Sequence, residues 1–110
     1  MPLADTMGLT LAFLFNLAAI LVHVLPLFVV LGGLIAVLAL LVGRGEGWSR
    51  GDSLYFGFIT ALTVGYGDLR PTTGRGKFLA IAIALVGLIT TGILVAVAVE
   101  AAAETFRDRG

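Results

Sequence analysis

The residues with the most constrained chemistry in this chain lie together in "TALTVGYGDLRP", residues 60–71. Two glycines flank Tyr66, Asp68 follows, and Pro71 closes the segment. No nucleophile–base pair accompanies it, so nothing here reads as an enzyme. The chain has no cysteine, and its single histidine, His23, excludes the usual histidine-clustered metal sites. The formal net charge is zero, which gives no case for a nucleic-acid partner.

The surrounding sequence is far too apolar for an ordinary soluble domain: 59% of residues are hydrophobic, 13% are charged, and mean hydropathy is +1.09. Residues 6–43 and 78–99 contain no Asp, Glu, Lys or Arg. A run of about 18 or more apolar residues reads as a membrane-spanning helix, so at least two spans are expected. As one straight helix the first run would be roughly 57 Å long, nearly twice the bilayer's apolar core. Pro26 offers a break, because proline is cheap at a helix's first turn and costly inside it. The expected division is a separate apolar helix within residues 1–25, capped by Asp5 and lying at the interface, followed by a spanning helix over 26–43. Residues 43–52 are glycine-rich, charged and aqueous, with Trp48 as an interfacial anchor. Residues 52–62 form a helix too short to span, capped by Asp52 or Ser49. It leads into the glycine-rich turn and so reads as re-entrant. Non-helical backbone at such depth survives only when buried in protein or lining a water-filled path. A second spanning helix is expected over 77–104 and a short polar tail over 105–110.

The order of span, short re-entrant helix, "TVGYGD" at residues 63–68, and span resembles the pore module of potassium channels, most closely the prokaryotic type with two spans. The resemblance covers residues 26–104 and implies an all-α membrane protein. In it, an outer helix (26–43) and an inner helix (77–104) flank a pore helix (52–62) and a selectivity filter (63–67), and four copies close one pore. It implies K⁺ as the permeant ion, held by the carbonyls of Thr63, Val64, Gly65 and Tyr66 with the Thr63 hydroxyl as a further ring. This mechanism is the standing example for potassium channels and enters with the resemblance. The residues supply the backbone logic. Carbonyls that point one way need alternate residues outside the usual φ range, which Gly65 and Gly67 permit. Val64 and Tyr66 are then expected to point away from the axis.

The resemblance extends to residues around the filter. Asp68 is either a solvated loop acid or packed against Tyr55, which stands where the family has an aromatic. Ile59 stands where some relatives carry a glutamate. Thr90 is expected to bond its own helix and Thr91 to face a water-filled cavity. Val95 and Val99 follow Thr91 at intervals of four, on one face, and are the candidate inner gate; Val97 is expected to face lipid. Gly87 and Gly92 are candidate hinges or packing positions, and Gly32 and Gly33 packing positions. Glu100 and Glu104 are either the wet end of a helix or an acidic ring. The expected protein is a multi-pass, homotetrameric K⁺ channel of the cell membrane, with both termini cytoplasmic and no soluble sensor domain. The alternatives are a non-conducting subunit that modulates other channels and the isolated pore of a longer ligand-gated channel. One pattern opposes the orientation: Arg44, Arg50, Arg70, Arg75 and Lys77 all lie on the loop side, which the positive-inside rule would place in the cytoplasm.

Overall fold

A computed structural model describes residues 3–109, with no strand among them. It contains α1 (Leu3–Glu46), α2 (Arg50–Ala61) and α3 (Gly74–Arg109). Both long helices are apolar enough to cross a membrane. The short α2 and the irregular segment after it separate them in sequence.

The break expected at Pro26 is absent, because α1 runs through it as one helix. The lost backbone hydrogen bond and the ring clash cost about 3 kcal/mol. Packing offsets that cost: Leu9, Phe13, Asn16, Leu17, Ile20 and Val24 form a half-buried stripe at helical spacing. Residues 1–25 are therefore not a separate interfacial helix; the part described, from Leu3, is the first half of α1. The sequence boundary does mark something else. The chain forms two compact units, and α1 passes from one to the other at Leu27 and Phe28, just beyond Pro26. α3 changes unit at Thr91 and Gly92.

The unit of residues 28–91 holds the principal core. Ile35, Ala39 and Val42 of α1, Phe56 and Ala61 of α2, and Ile83 of α3 are buried together. Trp48 packs against them, with its ring 5.1 Å from that of Phe56. Small residues allow this approach. A Cβ on Gly43 would overlap Ser53, and one on Gly57 would overlap Ala39. Ser53 is buried but satisfied, since its hydroxyl donates to the Ser49 carbonyl at 2.7 Å. An added Cβ at Gly32 or Gly33 meets nothing within this chain, so the packing expected there is not intramolecular.

The other unit pairs the first half of α1 with the last part of α3. Its buried stripe is Val97, Ala101 and Thr105, spaced four apart. Val97 is 6% exposed, which corrects its expected lipid-facing position. Thr105 donates to the Ala101 carbonyl at 2.7 Å and accepts from the Asn16 amide at 2.9 Å. The tail expected over 105–110 is helical through Arg109.

Candidate functional site

The site is built at the end of α2. Ser49 caps its start: the Ser49 hydroxyl accepts from the Asp52 amide at 3.1 Å. At the other end, Leu62 closes the helix and Thr63 turns into the left-handed region at φ +63°. The Thr63 amide donates to the Thr60 carbonyl at 3.1 Å, and the Val64 amide to the Ile59 carbonyl at 3.0 Å. This paired pattern is the Schellman end of a helix, with threonine at the position that usually needs glycine. A β-branched residue there is strained by about 1–2 kcal/mol. The Gly65 amide also donates to the Ile59 carbonyl, at 3.3 Å.

Positive φ recurs at every second residue: Thr63, Gly65 at +56° and Gly67 at +81°. Nothing lies within 4 Å of an added Cβ at either glycine, so backbone conformation, not crowding, requires them. The strand of backbone thus spends its first amides on the end of α2. Its oxygens are left over: the carbonyls of Thr63, Val64, Gly65 and Tyr66 accept no hydrogen bond among the described residues. The C-terminal end of α2, with its partial negative charge, adds to this run of free oxygens. Oxygens so arranged have the chemistry to replace water around a cation. In the single chain Val64 is 47% and Tyr66 71% exposed.

Behind the segment lies a cavity of about 250 Å³ lined by Tyr55, Ile59, Tyr66 and Asp68 among others. Partial desolvation, then the hydrogen bond and charge of Asp68, push the Tyr55 phenol above its ordinary range. The structure thus brings Tyr55 and Asp68 together. Ile59 offers Asp68 no polar partner.

Sequence reasoning missed the tie that anchors the exit of this segment. Glu46, the last residue of α1, accepts from the Thr72 amide at 2.7 Å, the Thr72 hydroxyl at 2.8 Å and the Thr73 amide at 3.1 Å. The Thr73 hydroxyl in turn accepts from the Gly76 amide at 2.9 Å and caps α3. This moves the start of α3 to Gly74 from the expected 77. The available signal was that α3 has no acid in its own first turn, so a carboxylate from elsewhere suits its positive end.

Along α3 the remaining residues separate. Gly87 meets the backbone of Ala61: a Cβ there would overlap the Ala61 carbonyl, Cα and C atoms. Gly92 has open space around it. Thr90 donates to the Val86 carbonyl at 2.8 Å, as expected, whereas Thr91 makes no hydrogen bond among the described residues. Val95 and Val99 are exposed in the single chain, at 56% and 63%. Glu100 pairs with Arg107 at 3.0 Å, both side chains being exposed.

A sequence model of the family described as "Ion channel" matches residues 9–104. The chain belongs to this ion-channel family. The matched stretch takes in most of all three helices, so these are elements of a channel and not of an enzyme, and the protein is an integral membrane protein. Similar proteins include LctB of Bacillus caldotenax, 52% identical over 40% of this chain and 32% of its own length. A voltage-gated potassium channel of Aeropyrum pernix is 43% identical over 40% of this chain and 15% of its own. The open rectifier potassium channel protein 1 of Drosophila melanogaster is 39% identical over 44% of this chain and 5% of its own. The matched stretches span no more than a third of these relatives' lengths. No solved structure matches the chain.

Proposed function

We propose that the chain is a subunit of a K⁺-selective, passive channel in which four copies surround one axis. The observation that carries this reading is the run of free carbonyls from Thr63 to Tyr66, held by left-handed conformations at alternate residues. Alternating handedness turns successive peptide planes so that their oxygens share one side. One chain supplies one oxygen per level, and a K⁺ ion needs several to replace its water, so a closed ring is required. The exposure of Tyr66 and Val64 supports the same reading, since neighbouring copies would cover side chains turned off the axis. Potassium channels among the similar proteins supply the choice of ion. Asp68 and Tyr55 support the filter from behind. Thr91 faces the cavity, and Val95 and Val99 line the inner gate. Of the two candidate hinges, Gly92 has the room to bend and Gly87 is packed. Both termini lie on the cytoplasmic side, against the charge bias. The test is flux from liposomes holding purified protein: K⁺ and Rb⁺ pass, Na⁺ does not, and Tyr66→Asp narrows the difference. Equal K⁺ and Na⁺ flux in the unmutated protein would sink the reading.

A further inference from the structure

The first half of α1 is apolar at a level where the helix beside it is charged. The Asn16 amide donates to Thr105, which sets the residues of α1 around Asn16 beside those of α3 around Thr105. That part of α3 carries Glu100, Glu104 and Arg107. The exposed pair of Glu100 with Arg107 needs water, because charges are expensive in hydrocarbon. The charge-free run of α1 is also nearly twice as long as the bilayer's apolar core, so part of it must leave the lipid. Met7, Leu11 and Phe15 lie in that part and are exposed, Phe15 at 74%. A contiguous apolar face outside lipid marks a contact with protein.

The same unit has a place for such a side chain. A cavity of about 240 Å³ is lined by Leu9, Thr10, Phe13, Ala102, Thr105 and Phe106. Its two hydroxyls are already engaged: Thr10 donates to the Thr6 carbonyl at 2.9 Å and Thr105 to that of Ala101 at 2.7 Å. The walls therefore offer mainly carbon and suit an apolar occupant, since a polar one would lose its hydration without a partner. Phe106 is exposed, so its ring is open to an edge-on contact with another. Phe15 does not fill this cavity in its own chain. At 3.6 residues per turn it stands about 140° around α1 from Thr10 and about 200° from Phe13.

We propose that this cavity receives Phe15 from a neighbouring copy of the chain, each copy giving one aromatic side chain and taking one. The face that gives and the cavity that takes are different, so the contact is head-to-tail, and head-to-tail contacts that close make rings. Copies of this chain supply one Phe15 for every cavity, and in a closed ring none is left exposed. The inference rests on the four-copy reading above. It adds a second seam to that ring, in the unit that does not hold residues 63–67.

The chain has no cysteine, so introduced thiols report without background. The full chain carrying Phe15→Cys and Ala102→Cys is purified in mild detergent, weighed by light scattering and treated with a short bifunctional thiol reagent. The expected product is a covalent ladder that ends at four chains. Phe15→Cys alone should stay monomeric on denaturing gels. So should Val22→Cys with Ala102→Cys, because Val22 lies on the same face as Phe15 but two turns further along. Truncation gives a second readout. Phe15→Ala should raise the chain concentration at which the tetramer comes apart by about tenfold or more, and Val22→Ala should leave it unchanged. Both side chains are exposed within the chain, so the fold does not depend on them, and circular dichroism checks it. A four-chain particle that gives no ladder from the Phe15 and Ala102 thiols would overturn this inference and leave the four-copy reading standing. A one-chain particle would overturn both. Dimers from Phe15→Cys alone would mean that like faces meet, and a ladder running past four would mean that the contact does not close. Either result would overturn the proposal, as would equal behaviour of the Phe15 and Val22 variants.

Discussion

In the unit of residues 28–91, α1 and α3 each meet α2 where a side chain is missing: Gly43 against Ser53, Gly57 against Ala39, Gly87 against Ala61. In the other unit, α1 and α3 meet through Val97, Ala101 and Thr105, with one side-chain hydrogen bond from Asn16. The first kind of contact puts backbone on backbone or methyl and cannot give by even a few tenths of an ångström. The second is a thin apolar stripe with a neutral hydrogen bond between side chains, the kind of region that opens locally at low cost. The oxygens of the proposed filter need fixed positions, whereas the proposed gate at Val95 and Val99 needs freedom to move. The close contacts are found in the unit that carries the proposed filter.

The sharpest way to break this comparison is Gly87→Ala against Gly92→Ala. The first forces a methyl into the Ala61 backbone and should cost about 1–3 kcal/mol or more. The second enters open space in a helix and should stabilise by roughly 0.5–1 kcal/mol. Unfolding in mild detergent, followed by helical signal, measures both. Equal effects would mean that Gly87 is not a packing position.

Cysteine labelling sharpens the other side. Thiols placed at Val95 and Val99 should react with water-borne reagents applied from the inner side and alter conduction. A cysteine at Val97 should stay silent because it is covered within its own chain. Labelling at Val97 with silence at the other two would move the gate off this face.

A smaller effect is expected from Asn16→Ala, which removes the one side-chain hydrogen bond to Thr105. Thr105 keeps its bond to Ala101, so no donor is stranded and the loss should be about 0.5–1.5 kcal/mol. Faster hydrogen exchange should be confined to residues 92–109 and the first half of α1. Spread of that effect to residues 63–67 would contradict the division between units. The smallest change should come from Glu100→Gln. Its pair with Arg107 is exposed on both sides and screened, and is worth about 0–1 kcal/mol. A thermal midpoint that moves no more than that of other surface variants checks it.

Much of the site was legible in the sequence because its demands are local. Gly65 and Gly67 announce left-handed backbone, and the alternation extends by two to Thr63, where residue type alone argues against it. The short α2 followed from the apolar run before the glycines, and Ser49 proved to be the cap of the two offered. What was not legible depended on residues far apart in the chain. Glu46 at the end of α1 serves Thr72 and Thr73, and Asn16 serves Thr105. No spacing rule links positions separated by so much sequence.

By itself, then, the sequence determined the apolar class, the short helix before the glycines and the left-handed conformation those glycines adopt, because each follows from composition or near-neighbour sterics. Only the tertiary structure decided that α1 continues through Pro26, that Gly87 is packed and Gly92 open, and that Val97 is covered. A proline's penalty is fixed and local, about 3 kcal/mol. Whether the helix breaks depends on what the flanking residues bury, and the partner for that burial lies far along the chain in the last part of α3, as with Thr105, 89 residues beyond Asn16.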